Sequence, residues 1–204
     1  MPVPYYVQPS HLEKKGLAPV FTVVSEGKPF PVRPVLQKGH EDDRDVFGTM
    51  LHDFFAGDSR ARSAAERTAH AQSIIASRLP GETIDAAAMI ASHDALDDFI
   101  KARFDGWRRF KEIPVRFRED GQLVSGIADL VLSDGTSFVL IDYKSFGGTH
   151  DECVSLSAKY APQLHAYTKG LSISGCGRCA GIYLYYAVSN CTVRVAGIEP
   201  ENQR

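Results

Sequence analysis

The sequence predicts a mixed α/β domain: a helical N-terminal layer followed by a β-β-β-α-β-β core. Three observations carry that prediction. Apolar residues recur at three- and four-residue spacing up to about residue 104, then at two-residue spacing from Ile113. Two turn signals, Asp120-Gly121 and Ser133-Asp134-Gly135, cut the second half into strand-length pieces. The run Thr136–Tyr143 is apolar enough to be covered on both faces.

Residues 1–45 carry Pro2, Pro4, Pro9, Pro19, Pro29, Pro31 and Pro34 and the charged run Glu41–Asp45, and are expected to form an extended arm or linker with one short helix after Pro9-Ser10. Residues 46–204 are expected to be the folded domain, helical over 46–106 and α/β over 107–204. Phe47, Met50, Leu51, Phe54 and Phe55 line one helical face that Gly57 ends. An Ala-, Arg- and Glu-rich helix spans 60–79, stopped by Pro80-Gly81. A third runs from Thr83 to Phe104, with a break expected where Ser92 can cap a new start.

In the second half, Ile113, Val115 and Phe117 alternate with Arg116 and Arg118, a strand with one apolar and one basic face. Strands over 122–132 and 136–143 follow. The stretch from Ser145 to Tyr160 reads as a long loop able to gate a site. A helix over 157–170 and strands over 182–188 and 192–198 complete the core.

At 204 residues, 44% hydrophobic and 24% charged, the chain is long enough to bury a core and ordinary for a globular protein. It has no run of about 18 apolar residues and no basic-then-apolar N-terminus, so no membrane span and no signal peptide are expected, and the cytoplasm is the default location. A net charge of −2 excludes a generally basic nucleic-acid binder. Contact with DNA then needs a local patch, and the cations between Lys101 and Arg118 supply one. Trp107, Phe110 and Tyr160 are candidate stacking groups with core packing as the commoner role.

The chemistry concentrates on one hairpin. Asp129 interrupts an apolar strand, and Asp142 and Lys144, two residues apart, share a side of the next. The turn at 133–135 folds the first strand onto the second and brings Asp129 beside Asp142. Two neighbouring carboxylates repel, and burial raises the cost. A divalent cation with a taste for hard oxygen ligands, Mg²⁺ or Mn²⁺, removes it.

These residues, with four further segments, resemble the PD-(D/E)xK nuclease superfamily, and more narrowly the RecB/AddA-type nuclease domain at the C-terminus of UvrD-like helicase–nucleases. Gly48-Thr-Met-Leu-His52 resembles the family's histidine-bearing helix, and Glu112-Ile-Pro the acidic strand start before its core. Gly126-Ile-Ala-Asp129 resembles Gly-x-x-Asp, Ile141-Asp142-Tyr-Lys144-Ser the Asp-Tyr-Lys motif, and Gln163-Leu-His-Ala-Tyr167 the Gln-x-x-x-Tyr helix. Pro9-Ser10-His-Leu12 resembles the segment that opens such domains. Ser145 stands where Thr is commoner.

The resemblance implies a restriction-endonuclease-like mixed sheet flanked by helices. It implies a Mg²⁺- or Mn²⁺-dependent deoxyribonuclease, exonuclease rather than endonuclease, with DNA as substrate and a helicase domain or subunit as partner in DNA repair. It assigns metal binding to His52, Asp129, Asp142 and the Tyr143 carbonyl, and catalysis to Asp129, Asp142 and Lys144. Glu112, Gln163 and Tyr167 take supporting or DNA-binding places. A catalytically inactive module with the same fold, binding DNA or a partner subunit, is the rival reading.

Some relatives hold an iron–sulfur cluster with one cysteine ahead of the core. Here all four cysteines, Cys153, Cys176, Cys179 and Cys191, lie at or beyond residue 153, which argues against the cluster. Cys176-x-x-Cys179 resembles half of a zinc knuckle, with Cys191 a weak third ligand. Free thiols are the expected alternative.

Overall fold

The computed structural model describes residues 6–12, 16–32 and 41–200, without the side chains of His11 and 41–44. Among the described residues, seven strands and five α-helices follow in order: β1 (Tyr6–Val7), β2 (Val20–Glu26), α1 (Glu41–Gly57), α2 (Ala64–Arg78), α3 (Ala86–Arg103), β3 (Arg108–Glu119), β4 (Gln122–Ser133), β5 (Ser137–Lys144), α4 (His150–Ser157), α5 (Ala161–Ile173), β6 (Arg178–Tyr186) and β7 (Cys191–Ala196), with a short 3-10 helix at Pro9–His11. The strands form one mixed sheet in the order β1-β4-β5-β6-β7-β2, with β3 paired to β4. The β1–β4 and β5–β6 pairs are parallel and the others antiparallel.

The sheet separates two cores. On one face, Phe47, Met50, Leu51, Phe54 and Phe55 of α1 pack with α2, α3, Leu130, Leu132, Val139, Ile141 and Tyr143. On the other, Leu164, Tyr167 and Leu171 of α5 and Cys153 of α4 cover Val115, Ala128, Leu140 and Leu184. This is the mixed sheet flanked by helices that the sequence predicts, consistent with a restriction-endonuclease-like fold. Among the described residues, no helix is long and apolar enough to cross a membrane.

Four local expectations change. The segment 1–45 was expected to be irregular, yet β1 pairs with β4 and β2 pairs along β7. Val20-Phe-Thr-Val-Val is a β-branched run that the surrounding prolines obscure. Helix α3 is continuous through Ser92, which is fully buried; its hydroxyl donates to the Ala187 carbonyl at 2.7 Å and lies 3.3 Å from the Tyr185 hydroxyl. The cap is Asp85 instead, accepting from the amides of Ala87 and Ala88.

The expected loop from Ser145 to Tyr160 contains α4, started by a capping box in which Thr149 and Glu152 bond each other's backbone amides. That Thr-x-x-Glu signal was legible at 149–152.

The basic stretch is partly spent on the fold. Lys111 donates to the carbonyls of Phe55 and Asp58 at 2.6 and 2.9 Å, Arg109 pairs with Asp97, and Arg103 reaches the Val24 carbonyl at 2.7 Å. These cations tie β3 to α1 and α3, and α3 to β2. Beneath them Arg67, 7% exposed, meets Asp58, 2% exposed, through three hydrogen bonds of 2.6, 3.0 and 3.1 Å, and reaches Asp94 as well.

Candidate active site

The site forms where the β4–β5 ladder ends. The ladder runs from Ser133↔Phe138 to Leu130↔Ile141, and one further step sets Asp129 opposite Asp142. On the other side of β4, the β3 register skips from Lys111↔Leu130 to Ile113↔Ala128, which sets Glu112 opposite Asp129. Three acids thus stand in a row across three adjacent strands.

The backbone turns over at this row. Ala128 belongs to the core under α5, whereas Leu130 belongs to the core under α1–α3, although residues two apart in a regular strand share a face. Glu112, directly across, has φ of 55°, in the left-handed region that non-glycine residues seldom occupy. Local strain is held at this crossing by the two cores on either side.

Asp129, 7% exposed, is fixed at both oxygens. Its Oδ2 accepts from the Tyr143 amide at 2.7 Å, standing in for the ladder acceptor that β4 no longer supplies. Its Oδ1 lies 3.3 Å from Nδ1 of His52. Helix α1 delivers His52 because Leu51, Phe54 and Phe55 bury their side of the helix. The imidazole sits edge-on to the Tyr143 ring, 5.7 Å between centroids. Ligand atoms of His52, Glu112 and Asp129 all lie within 4.8 Å of one another.

Asp142 is turned toward Lys144. Its Oδ2 is 2.5 Å from Nζ, a buried ion pair. The Lys144 ammonium also stands 4.3 Å from the centre of the Tyr160 ring. Asp142 and Lys144 share the α4–α5 side of β5, as their spacing predicts.

The charges act on one another across the cluster. Burial, opposed by Lys144 and reinforced by Asp129, pushes the Asp142 carboxyl up to about 6. Burial and then Asp129 also raise Glu112. For His52, burial disfavours the imidazolium, but the hydrogen bond and charge of Asp129 outweigh it and the pKa rises. For Lys144, burial is likewise outweighed by Asp142 and Asp129, and its pKa is raised. The excess of carboxylate over cation and the nitrogen-plus-oxygen donor set of His52, Glu112 and Asp129 fit a divalent cation.

The remaining sequence candidates fall into two groups. Tyr167 lies beneath the site: a Cβ added to Gly126 would meet its Cε1 at 2.8 Å and its hydroxyl at 2.9 Å, so the glycine three residues before Asp129 makes room for this ring. Gln163 Nε2 donates to the Tyr167 hydroxyl at 3.2 Å. Among the proposed stacking groups, Trp107 packs on Phe104, Phe110 is 36% exposed with Arg108 over its ring, and Tyr160 lies under Lys144.

The cysteines are not gathered. Gly175-Cys176 ends α5, the Cys176 amide bonding back to the Leu171 carbonyl. Cys179 begins β6, whereas Cys191 pairs with Tyr186 at the strand's other end, seven residues or about 23 Å away. Cys191 lies instead against Cys153, whose thiol this contact brings down to about 7. All four cysteines are free.

Glu112 reaches the cluster through a left-handed kink at its own backbone, which leaves no trace in the sequence beyond the nearby Pro114. The Lys144–Tyr160 contact has no sequence signal of its own, because α4 lies between the two residues.

No curated protein matches the chain. Among solved structures, the crystal structure of SSO0001 is 14% identical, with 81% of this chain and 81% of that chain covered; its TM-score of 0.35 is too low to carry an argument. A family model does match, over residues 30–191, and by that match the chain belongs to the PD-(D/E)XK nuclease superfamily.

Proposed function

We propose that the domain is a divalent-metal-dependent deoxyribonuclease that hydrolyses phosphodiester bonds at the His52–Glu112–Asp129–Asp142–Lys144 site. One observation carries the reading: three acids aligned across β3, β4 and β5, beside a histidine and a lysine, at the point where the sheet opens.

His52, Glu112 and Asp129 would hold the cation, with Asp142 and the Tyr143 carbonyl as further contacts. A bound Mg²⁺ or Mn²⁺ would supply Lewis acidity, polarising the phosphate and lowering the pKa of water. The chain's own groups do the rest. Asp142 holds the Lys144 ammonium, and the raised pKa keeps it charged at neutral pH. It would steady charge on the phosphate in flight and orient the attacking water. Tyr160 limits where that ammonium can swing. Asp129, clamped by the Tyr143 amide, keeps β4 and β5 in register at the site. Hydrolysis forms a bond from water oxygen to phosphorus and breaks the bond to O3′, which leaves as a hydroxyl, with the 5′-phosphate on the other product.

Within this reading the enzyme acts on DNA ends, as an exonuclease, alongside a helicase domain or subunit in repair. The support is the set of five motifs in the order found in RecB/AddA-type domains.

The test is cleavage of labelled linear and circular DNA, single- and double-stranded, in Mg²⁺, Mn²⁺ or EDTA. Cleavage that needs metal, is confined to linear substrates and is lost in Asp142→Ala is expected. Metal-independent cleavage, or full activity in the variant, would overturn the catalytic reading. Cleavage of circles would remove the exonuclease assignment.

A further inference from the structure

Helix α4 lies across three strands of the sheet. Three of its residues, His150, Cys153 and Ser157, share one helical face by their three- and four-residue spacing, and each meets a different strand. His150 Nδ1 is 2.8 Å from Glu26 Oε2 on β2, the Cys153 thiol is hydrogen-bonded to Cys191 on β7, and the Ser157 hydroxyl is 2.9 Å from the Tyr186 hydroxyl on β6. The three partners form one row of the sheet, since Cys191 pairs with Glu26 on one side and with Tyr186 on the other. The spacings agree. The helix rises about 4.5 Å from 150 to 153 and about 6 Å from 153 to 157, against about 4.8 Å from each strand to the next. The outer two contacts thus hold the two sulfurs against one another in the middle of the row.

Both thiols are free and fully buried. The hydrogen bond with Cys191 outweighs burial, with Ser189 and His150 assisting, and brings the Cys153 thiol down to about 7; the same bond, with burial, pushes Cys191 up. Near neutral pH one sulfur is therefore partly thiolate, the nucleophilic form, while its neighbour keeps its proton.

We propose that Cys153 and Cys191 are an oxidation site, closing to a disulfide with hydrogen peroxide as the oxidant and reopening with a thiol reductant. The Cys153 thiolate attacks one peroxide oxygen. The O–O bond breaks, hydroxide leaves and is protonated to water, and Cys153 becomes a sulfenic acid. The Cys191 sulfur then attacks the Cys153 sulfur. The S–S bond forms, the S–O bond breaks, and the departing hydroxide takes the Cys191 proton to leave as water. Two thiols give up two electrons, and one peroxide becomes two waters. Helix α4 has only eight residues, too few to persist without its sheet contacts, so local opening admits a molecule as small as peroxide.

The link also reaches Lys144. Hydrogen-bonded sulfurs must close by more than about 1 Å to reach disulfide distance, and α4 moves with them. The Tyr160 amide bonds the Ser157 carbonyl at the end of α4 at 3.0 Å, and the Tyr160 ring faces Lys144 Nζ at 4.3 Å. Oxidation therefore shifts the ring against the lysine and lowers cleavage. This last step rests on the nuclease reading.

The test uses the full chain carrying Cys176→Ser and Cys179→Ser, so that only this pair can link. After millimolar peroxide near neutral pH, intact mass should fall by about 2 Da, the two thiol hydrogens, and iodoacetamide in denaturant should find no thiol. Trypsin without reduction should give residues 145–159 joined to residues 179–194, and dithiothreitol should part them. Adding Cys153→Ser should abolish the link; Cys191→Ser serves if that variant does not melt cooperatively. Cleavage of linear DNA in Mg²⁺ by the linked chain should fall about tenfold or more and return with dithiothreitol, since a misplacement of about 1 Å is costly at a reacting group.

Two thiols still open to iodoacetamide after peroxide, or oxygen gained on Cys153 with no joined peptides, would overturn the oxidation site. The two readings fail separately. A chain that links, but whose reduced form cuts no DNA, keeps the oxidation site and removes the nuclease. A reduced form that cuts, with the linked form equally active, keeps the nuclease and removes the control of Lys144.

Discussion

Gly126→Ala places a methyl group where the site is braced from below. The added carbon would stand 2.8 Å from Tyr167 Cε1, 2.9 Å from its hydroxyl and 3.0 Å from Pro9 Cδ. Carbon atoms settle at about 3.5–4.0 Å, so the two carbon contacts are too close by about half an ångström or more. The phi angle of Gly126 is not in the left-handed region, so the cost is one of packing rather than of backbone. Tyr167 is 5% exposed and held by Gln163 at 3.2 Å, which leaves the ring little room to retreat. Overpacking of this kind costs about 1–3 kcal/mol, and a weakened Gln163–Tyr167 hydrogen bond adds about 0.5–1. We expect about 2–3 kcal/mol, read as a lower urea midpoint at unchanged slope. Tyr167→Leu removes the obstructing atoms, so the double variant should cost at least about 1 kcal/mol less than the sum of the two single changes. Tyr167→Phe leaves Cε1 in place and should not rescue. Wild-type stability in Gly126→Ala, or strict additivity with Tyr167→Leu, would refute the packing argument.

Asp58→Ala leaves the buried Arg67 without its main partner and should cost about 3–5 kcal/mol, a fall in melting temperature on the order of 10 °C by calorimetry; a fall under about 2 °C would contradict the network's role. Lys144→Gln should lower kcat about 10²–10³-fold with KM changed less than threefold, in steady-state cleavage, because the ammonium acts on charge that develops in the reaction; a KM effect alone would contradict this. Mn²⁺ affinity by calorimetry should be pH-dependent. Asp142, held near 6, and His52, raised from its ordinary value, must both be deprotonated to donate. Affinity therefore falls as pH drops from 8 to 5, most steeply below 6, and levels off at high pH; a flat profile would remove these two residues from the ligand set.

How much was legible follows from the range of each interaction. Local periodicity places α1, β3, β4 and β5 well, because the apolar residues that mark them are near neighbours in sequence. The pairing of Asp129 with Asp142 follows from a short turn, and the structure sets the two opposite each other. The break expected at Ser92 fails because a buried hydroxyl can bond a carbonyl 95 residues away instead of capping. Strand β2 is invisible for a similar reason: its partner is β7, at the far end of the chain. Arg109 and Lys111 read as a DNA-facing surface, and their acceptors Asp97, Phe55 and Asp58 are found by folding alone. The Cys176-x-x-Cys179 spacing suggests a metal half-site, whereas Gly175 ends a helix and Gly177 turns the chain.

The central claim is that a divalent ion is held where β3, β4 and β5 part. Anomalous diffraction from a manganese-soaked crystal tests it most directly. The account predicts a peak within about 2.5 Å of donor atoms of His52 and Asp129, in reach of Glu112 and Asp142, and its loss in Asp129→Ala. A wild-type crystal at millimolar manganese with no density there, or with the ion elsewhere on the chain, would contradict it.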